Sequence, residues 1–254
     1  VHFHNVTSAF NPNVSLVLTP DAHQTYYFTW ANSTTPMGMY VTNGSVPIRP
    51  GTNSFASPER ANLYEVGAKY SAFHDRLGFT ASLFRLEKNN ATNADPVTGE
   101  VLGSSDPQRN QGLDLSVGGM IMPGWNVSAT YALYDSETMS SDTKANIGKN
   151  VQYVPHNQAT LWSVYEAFPN KPYNLAFGGG MTWRQAVWLD TANTMKVPAN
   201  LDFDAVISHR FNRHWKIAMN GYNLANRLNY QSLFSNRATP TAGRTFLGQL
   251  SYSY

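Results

Sequence analysis

The sequence predicts an all-β membrane protein, an antiparallel transmembrane β-barrel with about 11 of its strands in this chain. Three observations predict it. Charged residues make up only 13% of the 254, and aromatic residues match them at 13%, whereas a soluble domain carries about 25% charged residues. Mean hydropathy is nonetheless −0.37, and no apolar run approaches the roughly 18 residues that a membrane-spanning helix requires. Apolar and polar residues alternate along most of the chain, and the links between alternating segments are short and long by turns. These features coexist in a wall that shows one face to lipid and the other to water.

The alternation is clearest in a few segments. Phe246, Leu250, Tyr252 and Tyr254 share one face, against Gln249, Ser251 and Ser253. Trp125, Val127, Ala129, Tyr131 and Leu133 oppose Asn126, Ser128 and Thr130; Leu201, Phe203, Ala205 and Ile207 oppose Asp202, Asp204 and Ser208. Trp215, Ile217 and Met219 oppose Lys216 and Asn220, and Tyr64, Val66, Ala68 and Tyr70 oppose Glu65 and Lys69. A period of two means a strand with one apolar and one polar face. The pattern places strands near 5–19, 24–32, 59–73, 77–89, 107–121, 125–137, 153–167, 174–186, 197–211, 215–227 and 243–254. The segment near 153–167 alternates poorly, because Leu161, Trp162, Val164 and Tyr165 fall on both faces.

The links carry the topology. Pro20–His23, His74–Arg76, Met122–Gly124, Pro169–Pro172 and Asn212–His214 are short and turn-like. Long polar links lie between them, near 33–58, 90–106, 138–152, 187–196 and 228–242. An outer-membrane barrel has this rhythm because one rim is built of short periplasmic turns and the other of long extracellular loops. A β-sandwich also alternates apolar and polar residues, but its geometry imposes no such rhythm. The last strand then ends at the periplasmic side and the first begins outside. Such barrels have even strand numbers with both ends periplasmic, so the expectation is a barrel cut partway, whose open edges prevent it from folding alone.

Several motifs occur in a fixed order. The ending GRTFLGQLSYSY carries a terminal aromatic with aromatics or Leu at alternate positions, and resembles the signal that outer-membrane barrels present to their insertion machinery. Asn223–Tyr230 (NLANRLNY) resembles the N-L-F-(D/N)-K-x-Y-Y segment of TonB-dependent receptors, followed as in that family by a long loop and Gly243-Arg244-Thr245. Glu65–Lys69, Leu83–Asn90 and Gln111-Gly112-Leu113-Asp114 resemble strands of the siderophore-receptor subgroup, with Asp114 where Glu is more usual. Tyr131–Glu137, Pro155-His156-Asn157 and Leu161-Trp162 continue in order. The chain thus resembles the C-terminal half of a TonB-dependent siderophore receptor, with the catecholate-type subgroup the most similar.

That resemblance implies 11 strands of an expected 22 and a plugged lumen, with residues 1–254 forming the C-terminal part of the barrel and the plug domain and first barrel half absent from this chain. It implies an outer-membrane receptor for ferric siderophores, energised by the TonB–ExbB–ExbD complex through the missing N-terminal region. Further partners would be outer-membrane lipid and lipopolysaccharide, and the barrel insertion machinery at Tyr254. The alternative is another outer-membrane barrel, a passive channel or an importer of a non-siderophore ligand. No cofactor is expected, because the iron arrives chelated.

An anionic, aromatic-rich chelate is complemented by aromatic and cationic groups through charge and cation–π contact. In the long links these are Tyr40, Arg49, Phe55, Trp188, Tyr230 and Arg237, with Trp183 and Arg184 at the top of their strand. Glu65, Lys69, Asp114, Asp202, Asp204 and Lys216 are expected to face the lumen, toward the plug or toward water. No catalytic or metal site is expected. The Asp202/Asp204 pair lacks a convergent group, His2 and His4 stand alone, and there is no cysteine. Gly178-Gly179-Gly180 lies inside a strand, where close packing or a bend explains it better than phosphate binding.

Overall fold

The computed structural model describes residues 8–35, 58–89, 92–94, 101–103, 106–141, 143–169, 171–234 and 237–253. The wall begins with β1 (Asn13–Asp21), β2 (Gln24–Thr35), β3 (Glu59–Ala72) and β4 (Leu77–Asn89). A small hairpin, β5 (Thr92–Ala94) and β6 (Val101–Gly103), follows. The wall resumes with β7 (Gln108–Met122), β8 (Trp125–Thr138), β9 (Asn157–Ala167) and β10 (Asn174–Arg184). A second hairpin, β11 (Val187–Trp188) and β12 (Lys196–Val197), precedes β13 (Asn200–Arg210) and β14 (Trp215–Tyr222). A third, β15 (Tyr230–Phe234) and β16 (Arg237–Pro240), precedes the last wall strand, β17 (Thr245–Tyr252).

The wall is one 11-stranded sheet in chain order, β1-β2-β3-β4-β7-β8-β9-β10-β13-β14-β17, and every neighbouring pair is antiparallel. The strand number matches the sequence pattern; several boundaries do not. The first strand starts at Asn13 rather than near residue 5, and β9 starts at Asn157 rather than near 153. β14 stops at Tyr222 rather than near 227, because the chain leaves the wall where Asn223 adopts a left-handed backbone with φ 48°. Three of the long links contain hairpins that period-two reading had treated as loop.

Register fixes the faces. Phe28, Val66, Leu83, Leu113 and Leu133 fall in adjacent positions on one side of five consecutive strands, and Thr29, Glu65, Phe84, Gly112 and Tyr134 on the other. The first side is apolar and open: Leu16, Val66, Leu83, Phe177, Ile207 and Leu250 are among its exposed residues. Among the described residues only Leu77, Ala132, Val187, Leu189 and Val197 are buried hydrophobics. A soluble monomer does not leave a continuous apolar face of this size in water. A wall bathed in lipid must, and its sheet supplies the hydrogen bonds that hydrocarbon cannot. At the short-turn rim the face ends in aromatics, including Phe168, Tyr173, Phe211, Trp215 and Tyr252, of the type that sits at membrane interfaces.

The irregular alternation of β9 and the glycine triplet of β10 have a common explanation. Gly180 pairs with Trp162 and Gly178 with Val164. All four have inward parity, and a Cβ on Gly180 would come 2.1 Å from Leu161 O and 2.5 Å from the Trp162 ring, one on Gly178 2.7 Å from both Ser163 O and Val164 Cγ2. Two bulky residues therefore lie flat on the inner wall over two glycines.

Candidate functional site

Two regions could bind a ligand: the polar inner wall and the loops that rise from the far rim. On the inner wall, Tyr27, Gly67, Ser82, Asp114, Ala132, Gln158, Arg184 and Asn200 occupy one cross-strand row from β2 to β13. The row is short of bulk at Gly67, where a Cβ would meet the Tyr27 ring at 2.5 Å. The Tyr27 hydroxyl donates to Glu65 Oε1 at 2.5 Å, and Lys69 Nζ lies 5.6 Å from the centroid of the same ring. Across the row, Gln158 Nε2 donates to the Tyr134 hydroxyl at 3.2 Å. Arg184, the last residue of β10, stands in the row between β9 and β13, at the loop end of its strand. Its cross-strand neighbours are Gln158 and Asn200, neither of them an acid, and its Nε and Nη2 are buried without an acceptor among the described residues.

The loops above are joined to each other. Val187, Leu189 and Val197 of the second hairpin segment form a buried apolar cluster, covered by Tyr153 of the preceding loop and by Tyr230, Leu233 and Ala238 of the following one. Asp190 folds the tip: its carboxylate accepts from the Thr194 N–H and hydroxyl and the Met195 N–H at 2.8–3.1 Å. Burial pushes the Asp190 pKa up, but these donors outweigh it and hold the carboxyl below its ordinary value. Asn193, at φ 58°, then reaches the neighbouring loop, donating to Asn150 O and accepting from Asn150 N–H. A left-handed backbone is tolerated at Asn because its short amide satisfies local partners.

The segment 223–230 fastens the last loop to the top of the wall. Asn223 N–H donates to Asp204 Oδ1 at 2.8 Å, while its side chain bonds Arg227 and Ala242. Asn226 Oδ1 accepts from Arg244 N–H. Asn229, fully buried, donates to Asp202 Oδ1 at 2.6 Å and exchanges bonds with the Leu201 backbone. Asn200 and Tyr230 exchange a second reciprocal pair. The asparagines of this motif are thus structural ties, and they use both wall aspartates.

The candidate residues fall into distinct groups. Tyr40, Arg49 and Phe55, like His2 and His4, lie outside the described residues. Trp183 points outward from the wall. Trp188 carries Lys196 Nζ 4.0 Å above its ring, and Tyr230 packs against the loop cluster. Arg237 is exposed on β16. Glu65, Lys69, Asp114, Asp202, Asp204 and Lys216 all have inward parity, with the two aspartates of β13 committed to the loop. Sequence reasoning missed Asn200, Asn229, Asp190 and the Val187/Leu189/Val197 cluster. For the first three the available signal was asparagine and aspartate at strand ends and turns; for the cluster there was none, because its partners come from three loops.

The chain resembles known proteins over nearly its whole length. The family model described as TonB dependent receptor-like, beta-barrel, matches residues 2–224. The probable TonB-dependent siderophore receptor PiuA of Acinetobacter baumannii is 29% identical over 249 residues, covering 92% of this chain and 32% of PiuA. The catecholate siderophore receptor Fiu of Escherichia coli K12 is 28% identical over 235 residues, covering 81% of this chain and 30% of Fiu. The crystal structure of the A. baumannii PiuA superposes with a TM-score of 0.83 at 26% identity, over 95% of this chain and 35% of that one. The chain therefore spans about a third of the length of these relatives. With a family match over most of its residues and an 11-stranded antiparallel wall apolar on its outward face, the chain belongs to the TonB-dependent receptor β-barrel family of the bacterial outer membrane.

Proposed function

We propose that this chain is the C-terminal part of the barrel of a ferric-siderophore receptor, energised through TonB, with its ligand held between the extracellular loops and the upper inner wall. The single observation that carries the reading is Arg184: a guanidinium at the loop end of β10, with two buried nitrogens lacking acceptors among the described residues. A desolvated cation without a counter-ion favours an anionic ligand, and the planar fork suits oxygen donors such as catecholates or carboxylates. The siderophore names carried by PiuA and Fiu support the same class of cargo. Iron enters as part of the chelate, so no protein ligand to the metal is needed.

The test uses the full-length receptor in a strain lacking its own copy. Arg184→Ala should weaken binding of an anionic ferric siderophore about tenfold or more, the effect of losing one charged hydrogen bond of about 1.5–3 kcal/mol. A neutral chelate should lose much less. Equal binding by variant and parent would remove Arg184 from the site. Unchanged growth of the receptor-deleted strain on every ferric siderophore supplied would overturn the transport reading itself.

A further inference from the structure

The β10–β13 register puts an acid within reach of Arg184. Arg184 faces Asn200 and Thr182 faces Asp202, so Asp202 and Arg184 are diagonal neighbours on the inner wall. Diagonal partners in an antiparallel pair stand about 7–8 Å apart, a gap that a long side chain spans. On the other flank Gln158 faces Arg184 and Thr160 faces Thr182, and neither is an acid. Asp114 lies in the same cross-strand row but three strands away, about 14 Å. Asp190, in the loop that follows β10, is closed on Thr194 and Met195. A buried cation beside a carboxylate ordinarily pairs with it. Here Nε and Nη2 of Arg184 have no acceptor among the described residues.

What keeps the two apart is Asn229. β14 leaves the wall at Tyr222, and the chain behind it takes up the edge of β13 left open there. Leu224 N–H donates to Phe203 O at 2.8 Å. The Asn229 side chain then stands in for a strand partner of Leu201: its Oδ1 accepts from Leu201 N–H at 3.0 Å, and its Nδ2 donates to Leu201 O at 3.1 Å. These two backbone bonds fix which end of the amide is which. The second N–H of Nδ2 is thereby aimed at Asp202 Oδ1, 2.6 Å away. Asn229 is fully buried, so water does not compete for the tie. Asn229 lies on the β14 side of β13 and Arg184 on the β10 side, so the carboxylate is drawn away from the guanidinium. The next acid along β13 is held on the same side, because Asp204 Oδ1 accepts from Asn223 N–H.

We propose that Asn229 is a positioning residue for the anion site: by holding Asp202 on the β14 side it keeps the Nε/Nη2 edge of Arg184 open to ligand. This role rests on Arg184 being the anion-binding group. Nε and Nη2 share one edge of the guanidinium, the edge that a carboxylate takes with both oxygens. An untied Asp202, tethered one strand away, would occupy it at a high effective concentration and exclude a diffusing anion. Asn229 acts through Asp202 and not by contact with the ligand.

The experiment uses the full-length receptor and an anionic probe, the iron(III) tris-catecholate chelate, with a neutral iron(III) tris-hydroxamate chelate as control. Binding is followed by quenching of tryptophan fluorescence, and folding by heat-modifiable gel migration. Asn229→Ala should weaken tris-catecholate binding about tenfold, as far as Arg184→Ala, because the same charged hydrogen bonds are lost to the ligand. Asn229→Ala with Asp202→Ala should bind at the parent's level, although the loop tie remains cut. The tris-hydroxamate should not distinguish the variants. A crystal structure of the Asn229→Ala receptor should place an Asp202 oxygen within about 4 Å of Arg184 Nε or Nη2, the ordinary ion-pair distance. If Asn229→Ala does not fold, Asn229→Ser, which leaves a hydroxyl for Leu201 and no donor reaching Asp202, is read in its place. Parental binding by the single variant overturns the proposal. So does a double variant as weak as the single one, which would make Asn229 a support of the loop and nothing more. Parental tris-catecholate binding by Arg184→Ala instead overturns the reading of Arg184 itself. The crystal structure then judges the tie alone, and an Asp202 still turned from Arg184 in Asn229→Ala overturns that too.

Discussion

Asp190 shows how much of the loop region rests on single side chains. Its carboxylate accepts hydrogen bonds from three donors, the Thr194 N–H and hydroxyl and the Met195 N–H, and its pKa is depressed as a result. A group whose folded pKa is below its unfolded value stabilises the fold above the unfolded value, and that contribution is lost as pH falls through the folded pKa. The tip of the 185–199 loop should therefore hold from neutral pH down to about pH 4, the ordinary aspartate value, and loosen below it. Hydrogen–deuterium exchange of the full-length receptor, corrected for intrinsic rates, should show faster exchange at 190–197 on acidification, with β13 unaffected. Asp190→Asn should exchange faster at neutral pH and lose the pH dependence. A loop equally protected at pH 3 and pH 7 would mean that the apolar cluster alone holds it.

At the scale of elements, β9 and β10 form a matched pair. Their alternation was illegible in sequence because Trp162 and Val164 are large residues on the inner face, where polar residues were expected. The glycine triplet was legible as close packing, but its partner could not be named until register brought Gly180 to Trp162 and Gly178 to Val164. Gly180→Ala should destabilise the barrel by about 1–3 kcal/mol, the usual cost of forcing an extra group into a packed contact. Gly118→Ala, also on the inner face and with nothing within 4 Å of its added Cβ, should be nearly neutral. Thermal unfolding of the two full-length variants, followed by gel migration, makes the comparison. Equal stability of the two would show that the β9 backbone at Leu161 and the Trp162 ring both yield at little cost. The 223–230 segment has the same character: its order was readable as a family resemblance, yet its work, tying Asp202 and Asp204 to the loop, appears only when β13 and β14 lie side by side.

For the whole molecule the decisive claim is two-faced solvation. A nitroxide or fluorophore at Leu16, Val66, Leu83 or Ile207 in the intact receptor should be quenched by lipid-borne reagents, and one at Thr80, Ser116 or Lys216 by water-borne reagents. Equal access of both reagents to both sets would contradict a membrane wall. The same division explains why so few hydrophobic residues are buried among the described residues: lipid covers the outward set, and what packs there is the loop cluster and scattered contacts on the wall.

Composition and period by themselves determined the strand number, the two faces and the alternation of turns and loops, because a strand's side chains alternate by covalent geometry and a membrane imposes a different solvent on each side. The inward placement of Glu65, Asp114, Asp202 and Lys216 followed from that parity alone. The tertiary structure alone decided which inward groups meet, that three loops share one apolar cluster, and that Arg184 has no acid as a cross-strand neighbour. Each of these depends on register between segments distant in sequence, and a single strand's pattern contains no information about the offset of its neighbour.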